Sequence, residues 1–142
     1  MNLKKDRIIL DTNLWISFLL SSNYSKLDSI LNKNLATLIF SNELLEEFLE
    51  VINRPKFKDS FIKKDLTDLL FQIESNSEFF DVSKRVNACR DPKDNFLLAL
   101  AEVANAKYLI TGDKDLLSMR RFAKTKICTL NEYVEIKEKV IK

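Results

Sequence analysis

Short apolar runs alternating with helical stretches constrain this chain more than any single motif does. Residues 7–11, Arg7-Ile8-Ile9-Leu10-Asp11, read as a buried strand, and helical spacing follows at 15–20 and 25–31. Residues 35–40, 78–82, 107–111 and 126–128 read as further strands. Residues 42–53, 65–75 and 94–104 carry helical periodicity, and a last helix follows Thr129. The punctuation agrees with this division. Ser41 stands where an N-cap belongs, Pro55 disfavours helix in the residue before it, and Thr129-Leu130-Asn131-Glu132 has the form of a capping box. No hairpin turn of the Asn-Gly kind breaks the alternation. The expected fold is therefore α/β in three layers, with a central, mostly parallel sheet flanked by helices.

At 142 residues the chain has the length of one domain, expected over 1–142, and can bury a core without disulfide or metal support. Its one glycine leaves no room for a G-x-G-x-x-G turn or a phosphate-binding loop. The absence of histidine removes Ser-His-Asp chemistry and His-ligated zinc. Any catalysis must then rest on carboxylates, hydroxyls, lysines or a carboxylate-held metal. Cys89 and Cys128 lack metal-like spacing and are expected to be reduced thiols. With no signal-peptide pattern and no apolar run long enough to span a membrane, the expected compartment is the cytoplasm, without membrane partners. A net charge of +2 does not itself argue for nucleic acid. The basic clusters at Lys4-Lys5-Arg7, Arg54-Lys56-Lys58, Lys63-Lys64 and Arg120-Arg121-Lys124-Lys126 are either solvated faces or a phosphate-tracking surface around an acidic site.

The acids fall in a pattern. In a parallel α/β fold ligands bind outside the carboxyl ends of the strands. Asp11 ends the first strand, Asp113 and Asp115 lie just beyond the 107–111 strand, and Asp94 opens a helix after Asp91-Pro92-Lys93. On the 42–53 helix, at about 100° per residue, Leu44, Leu45, Phe48, Leu49, Val51 and Ile52 share one face. Glu50 points away, while Glu47 borders that face with a small margin over Glu46. Asp94 aligns with Leu98 and Ala101 along the edge of its own helix's buried face. Singly, each acid has a structural explanation as a cap or turn residue. Together at one rim they would repel one another, and a hard divalent ion, Mg²⁺ or Mn²⁺, is what stabilises such a cluster.

Asp11-Thr12-Asn13, Ser41 with Glu47, Asp91-Pro92-Lys93-Asp94-Asn95 and Thr111-Gly112-Asp113-Lys114-Asp115-Leu116 resemble the PIN-domain nucleases, and most closely the bacterial PIN-family toxins of toxin–antitoxin pairs. The resemblance runs in order along nearly the whole chain. It implies an acidic quartet of Asp11, Glu47, Asp94 and Asp113 that binds Mg²⁺ or Mn²⁺ and hydrolyses RNA. Asp11, Asp94, Asp113 and Asp115 are the implied metal ligands, Asp115 matching a further acid used by some members. Asn13, Ser41 and Thr111 match small polar residues that orient ligands or water. No separate organic cofactor is implied. The implied partners are an RNA substrate, a small antitoxin and a second copy of the chain in a homodimer.

Without histidine, the metal would activate water for in-line attack on phosphorus, leaving 5′-phosphate and 3′-hydroxyl ends. The residues do not choose between one ion and two. Flanking lysines and arginines would hold the RNA backbone with little sequence preference. Two other readings are a non-catalytic PIN-like binding or regulatory module, and a phosphoryl-transfer domain of the receiver or haloacid-dehalogenase kind. Against the latter, Asn13 stands where such phosphatases place a second aspartate. Gly112 is expected to let the chain bend sharply and bring Asp113 to the metal.

Overall fold

The computed structural model describes residues 5–15, 36–55, 67, 71, 75, 77–82 and 92–141. Of the 15–20 stretch only residue 15 is described, and it is helical together with 12–14 before it; 67, 71 and 75 of the 65–75 stretch are helical. The rest of those stretches, with 25–31, Cys89 and Asp91, lies outside the described residues.

Strand β1 (Asp6–Leu10) enters first, and β2 (Ala36–Phe40) leads into helix α1 (Asn42–Ile52). Then come β3 (Ser77–Phe79), α2 (Pro92–Ala104) and β4 (Tyr108–Ile110). A short α3 (Lys114–Met119), β5 (Arg121–Phe122), β6 (Thr125–Cys128) and α4 (Leu130–Ile141) complete the order. Among the described residues the strands form one sheet in the order β3-β2-β1-β4-β6-β5. Every pairing is parallel except β5 with β6. This is the expected α/β architecture.

Ile8, Ile9 and Leu10 are buried without a solvent-facing alternation, as parallel strands covered on both faces require. Trp15, just past β1, tilts against Phe40 of β2 and Phe48 of α1, with ring centroids 6.1 and 6.4 Å away. Ser41 caps α1 as its position suggests, its Oγ accepting from the Leu44 amide at 3.1 Å. The capping box of α4 is also present. The Glu132 amide donates to Thr129 Oγ1, and the Thr129 amide donates to Glu132 Oε1, which holds the Glu132 carboxyl below its ordinary range.

One expected strand is shifted, and two elements were not anticipated. The 78–82 strand is Ser77–Phe79, because pairing with β2 ends there, although the Phe80 amide still reaches the Phe40 carbonyl at 2.9 Å. A hairpin does exist: β5 turns through Ala123 and Lys124 into β6. Its signal was hidden because Ala123 takes the left-handed conformation (φ 52°) that Gly or Asn usually supplies. Helix α3 was unread because six residues are too few to display a helical period.

At the amino edge of the sheet, Asp6 is buried against Lys137 of α4, with Lys107 Nζ 3.4 Å from its other oxygen. Tyr133 of α4 stacks edge-on to Tyr108 of β4 at 5.1 Å. Burial raises the phenol pKa values of Tyr108 and Tyr133 and pushes the Cys128 thiol up to about 11. The unfolded chain releases these protons at lower pH than the folded one. Stability is therefore complete below about pH 9 and is lost as pH rises through the folded values. The melting temperature at about pH 10.5 should fall below that at about pH 8, whereas a flat profile would contradict the burial of these groups. Among the described residues no helix is long and apolar enough to cross a membrane.

Candidate functional site

The strand order has a switch point. From β1 the sheet grows outward to β2 and β3 on one side, and to β4 and β6 on the other. The crevice beyond the carboxyl ends of β1 and β4 is where such a sheet accepts ligands. Asp11 and Thr111 flank it. The Asp11 amide continues the ladder to the Ile110 carbonyl at 3.0 Å, and the Thr111 amide reaches the Cys128 carbonyl at 3.0 Å.

Asp11 is only 4% exposed. Its Oδ2 accepts from the Thr111 hydroxyl at 2.9 Å, and its Oδ1 has a long contact of 3.4 Å with the Asn13 amide. The same Thr111 oxygen accepts from the Asp113 amide at 3.0 Å. One buried hydroxyl thus ties the first acid to the backbone of the last. That bond, a Ser/Thr turn, also bends the chain after β4. Gly112 is not the hinge expected of it: its φ is not positive, and an added Cβ would meet nothing within 4 Å.

Asp113 is half-buried and caps α3, its Oδ1 accepting from the Asp115 amide at 2.8 Å; Asp115 and Asn13 are exposed. Ser41 is buried at the carboxyl end of β2 with its hydroxyl engaged in capping α1. Asp94 lies in the first turn of α2, 4% exposed, along the same face as Leu98 and Ala101. The other end of α2 lies at the amino edge, where Arg7 donates to the Ala104 carbonyl at 3.2 Å. The first turn of α2 therefore belongs to the rim side. On α1, Glu46 is exposed and Glu47 half-buried, the order that helical geometry suggests. Glu47 is not free: Lys93 Nζ lies 2.6 Å from its Oε1.

Among the described residues no three of Asp, Glu and Cys are drawn close enough to hold a metal ion. Asp11, Asp113 and Glu47 each have another partner there: the Thr111 hydroxyl, the Asp115 amide and the Lys93 ammonium. The residues nonetheless fit a hard cation. All side-chain donors are oxygens, Asp11 is buried with no cation paired to it among the described residues, and the neighbouring Thr12 hydroxyl is buried without a hydrogen-bond partner.

A family model described as PIN domain matches residues 7–115. The chain belongs to the PIN-domain family. PIN domains are generally nucleases, and PIN nucleases usually use divalent metal ions. No curated protein matches the chain. The PIN match takes in Asp11, Glu47, Asp94 and Asp113 and ends at Asp115, before the β5–β6 hairpin and α4.

Two features of this PIN site were not read from sequence. Lys93 had no role assigned, although a lysine in the first turn of a helix runs against the helix dipole and so signals a specific partner. For the basic clusters, solvated faces and a phosphate-tracking surface around the acids were both open. Lys5 and Arg7 line a groove of about 690 Å³ with Lys107 at the amino edge of the sheet, and Lys124 lies in the hairpin turn at the start of β6. Arg54 follows the far end of α1 and pairs with Glu50 at 3.6 Å.

Proposed function

We propose that this PIN protein is a Mg²⁺- or Mn²⁺-dependent endoribonuclease and the toxin of a type II toxin–antitoxin pair. The observation that carries the nuclease reading is the buried Asp11 carboxylate, held by Thr111 at the switch point of the sheet and tied through it to Asp113. Asp11, Asp94 and Asp113 would hold the ion, with Asp115 beside them and Glu47 contributing from α1. A bound divalent cation supplies an activated water and offsets the charge that develops on the phosphate. Thr111 keeps the Asp11 carboxylate oriented, its hydroxyl hydrogen directed at Oδ2. Asn13 is the remaining exposed polar group offered to water or substrate, while Ser41, buried as the cap of α1, supports the helix that carries Glu47. Lys114, exposed at the start of α3, is a cation on the rim side, suited to an RNA phosphate.

The toxin role is supported by the order and wording of the motifs, and it carries with it a cognate antitoxin, a homodimer and a cytoplasmic location. We also take residues 1–142 as one PIN-like domain, since β6 and α4 complete the sheet and core that the matched segment begins.

Labelled single-stranded RNA incubated with the protein should be cut in Mn²⁺ and left whole in EDTA. The products should carry 5′-phosphate and 3′-hydroxyl ends. Cleavage in EDTA, or 2′,3′-cyclic phosphate ends, would refute the metal-dependent reading. An intact substrate under all conditions, without metal binding, would favour a non-catalytic module.

A further inference from the structure

We infer that Lys93 is a positioning residue whose ammonium serves as the resident counterion of the acidic rim, holding Glu47 in the metal-free protein and opposing the divalent ion that Glu47 would otherwise serve. This rests on the metal-dependent reading above. Lys93 Nζ is 2.6 Å from Glu47 Oε1, and the two side chains are 35% and 27% exposed. The bond therefore joins α1 to α2 in partial shelter from water, where an ion pair is less screened than on an open surface. Local preference does not put a lysine there. Lys93 is the second residue of α2, at the positive end of the helix dipole, where acids are stabilised and cations are not. The position makes sense through its neighbours: Glu47 across the gap, and the buried Asp94 next in sequence.

Two consequences follow for a metal ion at the rim. Glu47 must exchange the ammonium for the ion or share its oxygens between them. The fixed positive charge also repels a divalent cation at short range. In a water-like dielectric, one unit charge within a few ångströms changes a divalent ion's affinity by about tenfold. Lys93 thereby stabilises the acids without metal and raises the metal concentration the site requires.

The test is Mn²⁺ titration calorimetry on the full chain, with circular dichroism melts to check folding. Lys93→Met should bind Mn²⁺ about tenfold more tightly than wild type, and Lys93→Gln should do the same. Lys93→Arg, which keeps the charge, should stay within about twofold. Without metal, Lys93→Met should melt below wild type, and saturating Mn²⁺ should raise its melting temperature by more than it raises that of wild type. Unchanged or weaker Mn²⁺ binding in both neutral variants would overturn the inference, because a purely structural ion pair predicts no tightening. Asp11→Asn separates the two readings. If it alone loses Mn²⁺ while the Lys93 variants match wild type, only the role of Lys93 fails. If wild type itself binds no Mn²⁺, the metal-dependent reading and the role of Lys93 fail together.

Discussion

Asp11→Asn should reduce RNA cleavage by about a thousandfold or more while leaving the protein folded. The amide keeps the volume of the carboxylate, so the 4%-exposed pocket between β1 and β4 need not repack. Its carbonyl oxygen can still accept from the Thr111 hydroxyl, so the tie to the Asp113 backbone survives. What disappears is a buried negative charge, the element that makes this position attract a divalent cation. Loss of several kcal/mol of transition-state stabilisation corresponds to that thousandfold figure. The same change removes like-charge repulsion at the rim, so the melting temperature without metal should equal or exceed that of wild type. Cleavage assays alongside a thermal melt separate these effects. Full activity in a folded Asp11→Asn protein would remove the acidic rim from the mechanism.

The second large effect lies at the opposite edge of the sheet and concerns stability alone. Asp6→Ala should destabilise the fold by about 3–5 kcal/mol, because it leaves the Lys137 ammonium buried without its carboxylate. The Lys137 side chain is 10% exposed, and the Tyr133 ring, 5.9 Å from Nζ, offers only weak compensation. For a chain of this size the loss corresponds to a fall in melting temperature of about 10 °C or more. Replacing both partners with apolar residues, Asp6→Leu with Lys137→Met, should restore most of it, since no charge is then stranded. Urea unfolding of the three proteins measures each value. A single variant within about 1 kcal/mol of wild type would show that Lys137 reaches water once released.

How much of this was legible in the sequence depended on how local each cause was. The parallel sheet could be read because β1, β2 and β4 are short apolar runs with helices between them, and that alternation is a property of neighbouring residues. The half-burial of Glu47 against the exposure of Glu46 followed from helical rotation past Leu44, Phe48 and Val51. The Thr129–Glu132 cap was legible for the same reason, being a motif four residues long at the start of its own helix.

Where the cause was not local, reading failed. Nothing near Lys93 in the chain announces Glu47, because the pair exists only once α1 and α2 are brought together. The bend after β4 was assigned to Gly112 by residue type, whereas the Thr111 side chain makes it. Among the described residues the left-handed positions fell to Asn105, Arg120 and Ala123, two of which carry no turn signature, so the β5–β6 hairpin passed unseen. The acids at the rim were read without partners, whereas Asp11 meets the Thr111 hydroxyl and Glu47 meets Lys93, residues far away in the chain.

The bond between Asp11 and Thr111 spans 100 residues of chain. Contacts of such long range form slowly, since a large loop must close before they are rewarded. A ribosome that has made β1, β2 and α1 has already released Asp11 and Glu47, but their setting does not yet exist. Only when β4 slots in beside β1 does Thr111 reach the first carboxylate. Nascent or truncated chains that stop short of residue 111 therefore carry Asp11, Glu47 and Asp94 but neither Thr111 nor Asp113, so the assembly order itself delays the crevice between β1 and β4 until synthesis is far advanced.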